Sequence, residues 1–263
     1  MRQWTCLVVS LQLISFHTLG WIIDVFTGFN NRLEKCFTAF DNLNQQVIDE
    51  HLHPKRKKPE QEDIIDVLLG LRMDESGVTQ LTISHIKGIL MNIFLGGIDT
   101  SAMTMVWAMT ELLRKPEEIR NVVGKKGKVK ASDINHLQYL KMVVKETLRL
   151  HAPAILFFFL AIGRSGEYWE NPEDFIIPER FMDNDIDFRG QDFDFLPFGS
   201  GRRDCPGINM GIATVELGLA NLLYCFNWEL SKGMNKEDIN IDELVGITVH
   251  KKTPLVVVLI KYV

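Results

Sequence analysis

The segment Pro197–Gly207, with the sequence PFGSGRRDCPG, combines residue types that can hold a reactive thiolate. Cys205 lies in this glycine-rich loop just before a predicted helix, and Arg202 and Arg203 lie close to it in the chain. Backbone N–H groups at a helix N-terminus and nearby guanidinium groups both favour an anion. Glycines also let the backbone adopt positive φ and approach a flat ligand closely. The alternative for a single cysteine of this kind is a structural role in a turn.

A second motif, Gly96-Gly97-Ile98-Asp99-Thr100, lies inside a long apolar stretch. Two adjacent glycines cost about 1 kcal/mol each in a helix interior, which predicts a local opening of the helix or the close approach of a ligand. Asp99 and Thr100 place a carboxylate and a hydroxyl in apolar surroundings, where burial is costly without partners. Taken alone, the motif is equally compatible with a simple helix kink.

Two further motifs contain charged residues. Glu146 and Arg149 are three residues apart, so their side chains share one helix face. Alone, such a pair is typical of an exposed surface contact that contributes little stability. The element Pro178–Phe181 (PERF) adds Arg180.

In this order the four motifs resemble those of the cytochrome P450 haem-thiolate monooxygenases, specifically the plant microsomal members. The family pattern F-x-x-G-x-R-x-C-x-G is met by Phe198, Gly201, Arg203, Cys205 and Gly207. The resemblance implies that Cys205 is the axial ligand of the iron in haem b. It also implies that Phe198 lies against the haem and that Arg203 reaches a haem propionate.

The same resemblance implies roles for the other motifs and an activity. Asp99 and Thr100 would act on dioxygen and its protons, whereas Glu146, Arg149 and Arg180 would form a structural triad. The implied reaction inserts one oxygen atom from dioxygen into an apolar small molecule, in plant specialised metabolism. The electrons would come from an NADPH-cytochrome reductase. The full-length family is expected on the cytosolic face of the endoplasmic reticulum membrane.

The resemblance covers residues 19–263, a partial cytochrome P450 domain that corresponds to the C-terminal half of the family. Residues 1–18 match nothing in the family and are interpreted as a non-native start. The family's membrane anchor is not found in the chain, which suggests a cytosolic location. About 30 family residues are expected to be missing between Phe157 and Ala161, and roughly two helical turns near Arg120–Val123. The alternative function is therefore a truncated, catalytically inactive fragment that binds haem poorly or not at all.

One substitution inside the cysteine loop also departs from the family. Asp204, directly before Cys205, stands where the family usually has an apolar residue. Its charge beside the thiolate is expected to weaken haem affinity or to shift the redox potential.

The elements that must position these motifs are mainly helical, with a small β component. The long central helix is expected to be buried on all sides over Ile89–Val106. After Leu150, prolines and glycines predict a coil-rich meander. Helical periodicity and end signals predict the segments 30–50, 62–72, 82–114, 136–150 and 208–226, followed by β structure within 246–263.

Composition limits the remaining classes of protein. The chain has 263 residues, 46% of them hydrophobic, and a net charge of −5, which excludes a disordered tail and gives no basic surface for nucleic acid. Four cysteines are too few and too scattered for a disulfide framework. The apolar segment Cys6–Phe16 is shorter than the roughly 20 residues of a membrane span, and no transmembrane helix is predicted.

Overall fold

The computed structural model describes residues 28–56, 60–73, 81–114, 129–152, 157–173, 178–182, 184–244, 246 and 248–261. The predictions for residues 1–18 and for Arg120–Val123 lie outside the described residues. The chain divides into two compact units after Leu95. Each unit is described by itself.

In the described part of the first unit, two complete helices precede the beginning of a third. Helix α1 is Phe29–Leu52, α2 is Ile64–Met73, and α3 is Ile83–Arg114. Asp63 caps α2, because its carboxylate accepts the N–H groups of Ile65 and Asp66 at 2.9 and 3.0 Å. The helices enclose a small core formed by Ile48, Leu68, Leu69, Ile86 and Leu90. All three helices begin and end within about two residues of the sequence predictions.

The described residues of the second unit include the remainder of α3 and three more helices. Helix α4 is Gln138–Leu150, α5 is Phe157–Gly163, and α6 is Ile208–Cys225. Short 3-10 turns occupy Ala131–His136, Pro178–Phe181, Gly201–Arg203 and Lys236–Asp238. The core joins α3, α4 and α6 to the meander through Met109, Leu140, Val144, Phe195 and Leu219.

In the described part of the second unit, four short strands form two antiparallel pairs. Strand β1 (Phe226–Leu230) pairs with β4 (Val257–Lys261), and Phe226 lies opposite Lys261. Strand β2 (Glu243–Leu244) pairs with β3 (His250–Lys251). The predicted β structure near the C-terminus is thus present as two short strands, and the predicted class, mainly α with a small β component, is confirmed.

The expected burial of Ile89–Val106 on all sides is wrong. In this stretch Leu90, Ser101 and Thr104 are buried, whereas Ile98 is 49% exposed. The continuously buried part of α3 is its last third, Trp107–Leu113. The physical reason is that an apolar sequence shows only that a segment avoids water. It does not show which other element of the protein packs against that segment. Part of this stretch lines a cavity instead.

Among the described residues, α3 and α6 are long and apolar enough to cross a membrane. They meet this criterion by length and composition alone, which buried core helices of soluble proteins also satisfy. Helix α6 places Leu219 and Leu223 in the core of the second unit. The sequence analysis predicted no such helix because it weighed only the apolar runs near Cys6 and Ile89.

Candidate active site

A cavity of about 500 Å³ in the second unit brings several of the predicted site residues together. Helix α3 contributes Gly96, Thr100, Ser101 and Thr104 to its wall. The loop before α6 contributes Pro197–Ser200, Arg203 and Cys205. The rest of the wall is mostly apolar and comes from α4 and α6: Val144, Leu148, Gly211, Ile212 and Val215.

The loop that carries Cys205 is shaped by backbone geometry. Gly199 and Gly201 have φ of +76° and +73°, a region that residues with a side chain rarely adopt. The N–H of Cys205 donates to the carbonyl of Phe198 at 2.9 Å, which closes the loop. Helix α6 follows, with Gly207 at its N-cap. The result is a free, exposed Cys205 thiol at the cavity wall, two residues before the cap.

The meander supports this loop from outside the cavity. Gly190 has φ of +79°, and a Cβ there would lie 3.0 Å from the carbonyl oxygen of Gly199. Phe188 packs edge-on against Phe198, with ring centroids 5.7 Å apart. Sequence reasoning counted Gly190 among the turn glycines of the meander and missed this close approach.

The Gly-Gly motif does not interrupt α3, which is one continuous helix from Ile83 to Arg114. The expected opening of the helix at Gly96 and Gly97 is therefore not present. The hydroxyl of Thr100 donates to the carbonyl of Gly96 at 2.5 Å, within the same helix. Since Gly96 and Thr100 both line the cavity, the small residue at position 96 leaves room for a ligand beside the hydroxyl.

Asp99, the acid of the same motif, has partners from the C-terminal segment. The Thr248 hydroxyl donates to Asp99 Oδ2, and His250 Nε2 lies 3.2 Å from the same oxygen. Neither Thr248 nor His250 was predicted as a partner of Asp99. They are about 150 residues from Asp99 in the chain, so no local spacing could have indicated them.

The three residues Glu146, Arg149 and Arg180 lie together. Glu146 and Arg149 are fully buried and share two hydrogen bonds of 2.8 Å. Arg180 Nε lies 3.5 Å from Glu146 Oε1, within ion-pair distance but without hydrogen-bond geometry. The guanidinium of Arg180 donates instead to the backbone carbonyls of Glu170 and Asn171.

Arg149 also ties α4 to the meander. It donates to the carbonyls of Gly163 and Pro172, and its guanidinium lies 5.4 Å from the ring centroid of Trp169. A Cβ at Gly163 would overlap the carbonyl oxygen of Arg149. The close approach of α4 and α5 at this point therefore requires glycine.

His151 is the buried C-cap of α4. Its ring stacks on Trp107 at a centroid distance of 3.9 Å. Its two nitrogens lie 3.2 Å from Glu111 and 3.0 Å from Glu243. Arg164 donates to the same Glu243 carboxylate. This network links α3, α4 and β2.

Comparison with known proteins decides the family. The family described as "Cytochrome P450" matches residues 8–158 and 154–258 of the chain. The chain belongs to the cytochrome P450 family. The predicted resemblance is confirmed, and members of this family are haem-thiolate proteins whose cofactor is haem b. The two matches meet at residues 154–158, close to where the sequence analysis expects about 30 family residues to be missing.

Curated relatives and solved structures agree with this assignment. Cytochrome P450 71B10 of Arabidopsis thaliana is 48% identical over 282 residues, 94% of this chain and 56% of that protein. Cytochrome P450 71A1 of Persea americana is 44% identical, over 91% of this chain and 54% of that protein. A zebra fish cytochrome P450 solved with progesterone superposes with a TM-score of 0.71 at 21% identity, covering 88% of this chain and 58% of that one. The chain thus spans about half the length of the curated relatives it matches.

The Glu243 carboxylate in this P450 chain gives a testable pH dependence. Burial by itself would raise the pKa of Glu243, but hydrogen bonds from His151 and Arg164 outweigh it and lower the pKa from 4.5 to about 2. Charged Glu243 therefore stabilises the folded state fully above pH 4.5, and this contribution is lost as the pH falls towards 2. The difference in free energy of unfolding between the wild-type chain and Glu243→Gln is expected to shrink by about 2 kcal/mol between pH 7 and pH 3.

Chemical denaturation of both proteins at the two pH values measures this difference. Glu229→Gln, which removes a carboxylate on the exposed side of β1, is the matched control. An equal difference at pH 7 and pH 3 for Glu243→Gln would contradict the assigned hydrogen bonds.

Proposed function

We propose that this chain carries the haem-binding part of a haem-thiolate monooxygenase. The proposed reaction inserts one oxygen atom from dioxygen into an apolar small molecule, with electrons from an NADPH-cytochrome reductase. One observation carries the proposal: the Cys205 thiol, the Arg203 guanidinium and the Thr100 hydroxyl belong to residues that line one cavity.

The residues that line the cavity fit haem b. Cys205 offers the soft thiolate ligand of this class of haem protein. Val144, Leu148 and Val215 offer an apolar surface for the macrocycle, and Arg203 offers a cation for its carboxylates. When bound, the haem supplies the iron centre at which dioxygen is reduced and split.

Helix α3 supplies the proposed polar groups for oxygen chemistry. The Thr100 hydroxyl donates its only proton to the carbonyl of Gly96, so its oxygen can accept a hydrogen bond from a ligand in the cavity. Asp99 provides a carboxylate one residue earlier. We assign Thr100 to orienting bound dioxygen and Asp99 to supplying protons.

The substrate class follows from the cavity wall and from the relatives. The wall is mostly apolar, which favours an apolar small molecule. The two curated relatives named above come from plants, and this supports a role in plant specialised metabolism. Similarity to these relatives also supports a location of the full-length protein on the cytosolic face of the endoplasmic reticulum membrane.

The test is NADPH-dependent product formation by the haem-reconstituted chain with a plant reductase and a panel of apolar substrates. Thr100→Val is expected to lower the product formed per NADPH consumed at least tenfold, because misplacement of a reacting group by about 1 Å can cost about 100-fold in rate. Thr110→Val is the matched control, because Thr110 makes the same type of bond to Val106 on α3 but does not line the cavity.

Two results would overturn the proposal. If Thr100→Val and Thr110→Val changed the product formed per NADPH by the same factor, Thr100 would have no role in the reaction. A haem-loaded wild-type chain that forms no product would favour the alternative, a catalytically inactive fragment.

A further inference from the structure

The Asp99 carboxylate is held by two side chains from the segment that contains β3. Thr248, 4% exposed, donates its hydroxyl to Asp99 Oδ2. His250 Nε2 lies 2.6 Å from Thr248 Oγ1 and 3.2 Å from Asp99 Oδ2. The three side chains therefore form a compact cluster, which we call the Asp99 latch.

The number of protons in the latch fixes the direction of each hydrogen bond. A threonine hydroxyl has a single proton, and Thr248 gives it to Asp99. The contact between Thr248 Oγ1 and His250 must then be donated by the imidazole, which requires a proton on Nε2. That N–H also faces Asp99 Oδ2, so one carboxylate oxygen has two donors around it. Two donors on one oxygen restrict the rotation of the carboxylate.

A tether for the C-terminal segment is the alternative role for these contacts. That segment already has a separate anchor, because the buried indole of Trp107 donates to the carbonyl of Val249 at 2.8 Å. Val249 itself is 2% exposed. Loss of the Thr248 hydroxyl should therefore release Asp99 while the segment stays attached to α3.

We propose that Thr248 and His250 are positioning residues that hold the Asp99 carboxylate in one orientation. This inference rests on the proposed function, in which Asp99 supplies protons beside the cavity. His250, with 38% of its side chain exposed, connects the buried Thr248 hydroxyl to solvent. The latch determines the position of the Asp99 carboxylate, whereas the cavity wall binds the substrate.

The latch itself is tested by nitrogen-15 NMR of the full chain labelled at histidine. The His250 ring is expected to carry its proton on Nε2 in the wild-type chain. Asp99→Asn and Thr248→Val should both shift the His250 nitrogen resonances, whereas Thr248→Ser, which keeps the hydroxyl, should not. Thr253→Val is the matched control, since Thr253 is exposed in the same segment. If the His250 nitrogen resonances did not shift in either Asp99→Asn or Thr248→Val, the proposal would be overturned.

Turnover of the haem-reconstituted chain tests the consequence of the latch. Thr248→Val is expected to lower the product formed per NADPH roughly tenfold, part of the 10²–10⁴-fold that a general acid contributes. Thr248→Ser should restore it, and the KM for substrate should not change in either variant. Wild-type turnover in Thr248→Val would overturn the positioning role and leave the proposed function intact. An inactive wild-type chain would overturn the proposed function, while the NMR result would still decide whether the latch holds Asp99.

Discussion

Replacement of Arg149 by alanine is expected to lower the free energy of unfolding by about 3–5 kcal/mol, the range measured when one partner of a buried ion pair is removed. The reason is the environment of Glu146, which is fully buried and takes two hydrogen bonds from Arg149. Without that guanidinium the charge of Glu146 stays buried, and Arg180, the cation that remains near it among the described residues, makes no hydrogen bond to it. The carbonyls of Gly163 and Pro172 lose a donor as well. Denaturant unfolding followed by circular dichroism measures the change.

A matched control exists on the surface of the same unit. Arg189 lies 3.3 Å from Asp187 with 60% of its side chain exposed, and Arg189→Ala should cost less than about 1 kcal/mol. Replacing Glu146 and Arg149 together by apolar residues should cost less than Arg149→Ala alone, because no unpaired charge stays buried. Equal costs for Arg149→Ala and Arg189→Ala would refute the buried network.

The parts of the site that the sequence predicted well are those encoded over short distances. The cysteine loop needs positive φ at Gly199 and Gly201 and a helix directly after it, and glycines and helix signals are visible within ten residues. Glu146 and Arg149 share a helix face because of their spacing alone. The position of Arg180 was predicted from the family resemblance, since no local pattern links it to α4.

The parts that the sequence did not predict depend on contacts between distant segments. Thr248 contacts Asp99 across 149 residues, and His151 contacts Glu243 across 92. A polar residue in a strand-like segment is usually exposed, so neither Thr248 nor Glu243 was distinctive in the sequence. These pairs form because the segment that contains β2 and β3 packs against α3 and α4.

The burial of α3 was misjudged for a related reason. Hydropathy predicts that Ile89–Val106 avoids water, but the continuously buried part of α3 is Trp107–Leu113, where the core of the second unit surrounds the helix. Around Gly96 and Thr100 the same helix forms a cavity wall instead. A site for an apolar ligand and a packed core have the same composition, so sequence alone does not separate them.

Replacement of Cys205 by alanine is expected to abolish the strongly red-shifted Soret band that a reduced haem-thiolate protein shows with carbon monoxide. The reason is that this band requires a thiolate on the iron. Cys205 is a free thiol that lines the cavity. The measurement is the reduced carbon monoxide difference spectrum of the haem-reconstituted chain, normalised to its haem content.

Two further variants make this result specific to the position of the sulfur. Cys225→Ala removes another free thiol, at the end of α6 and away from the cavity wall, and should leave the red-shifted band unchanged. Cys205→Ser keeps the size of the side chain but offers a harder oxygen ligand, so the band should again be lost while the fold is retained. If Cys205→Ala kept the band, or if Cys225→Ala lost it, Cys205 could not be the ligand. The loop at Pro197–Gly207 would then be a structural turn, the alternative that applies to a single cysteine.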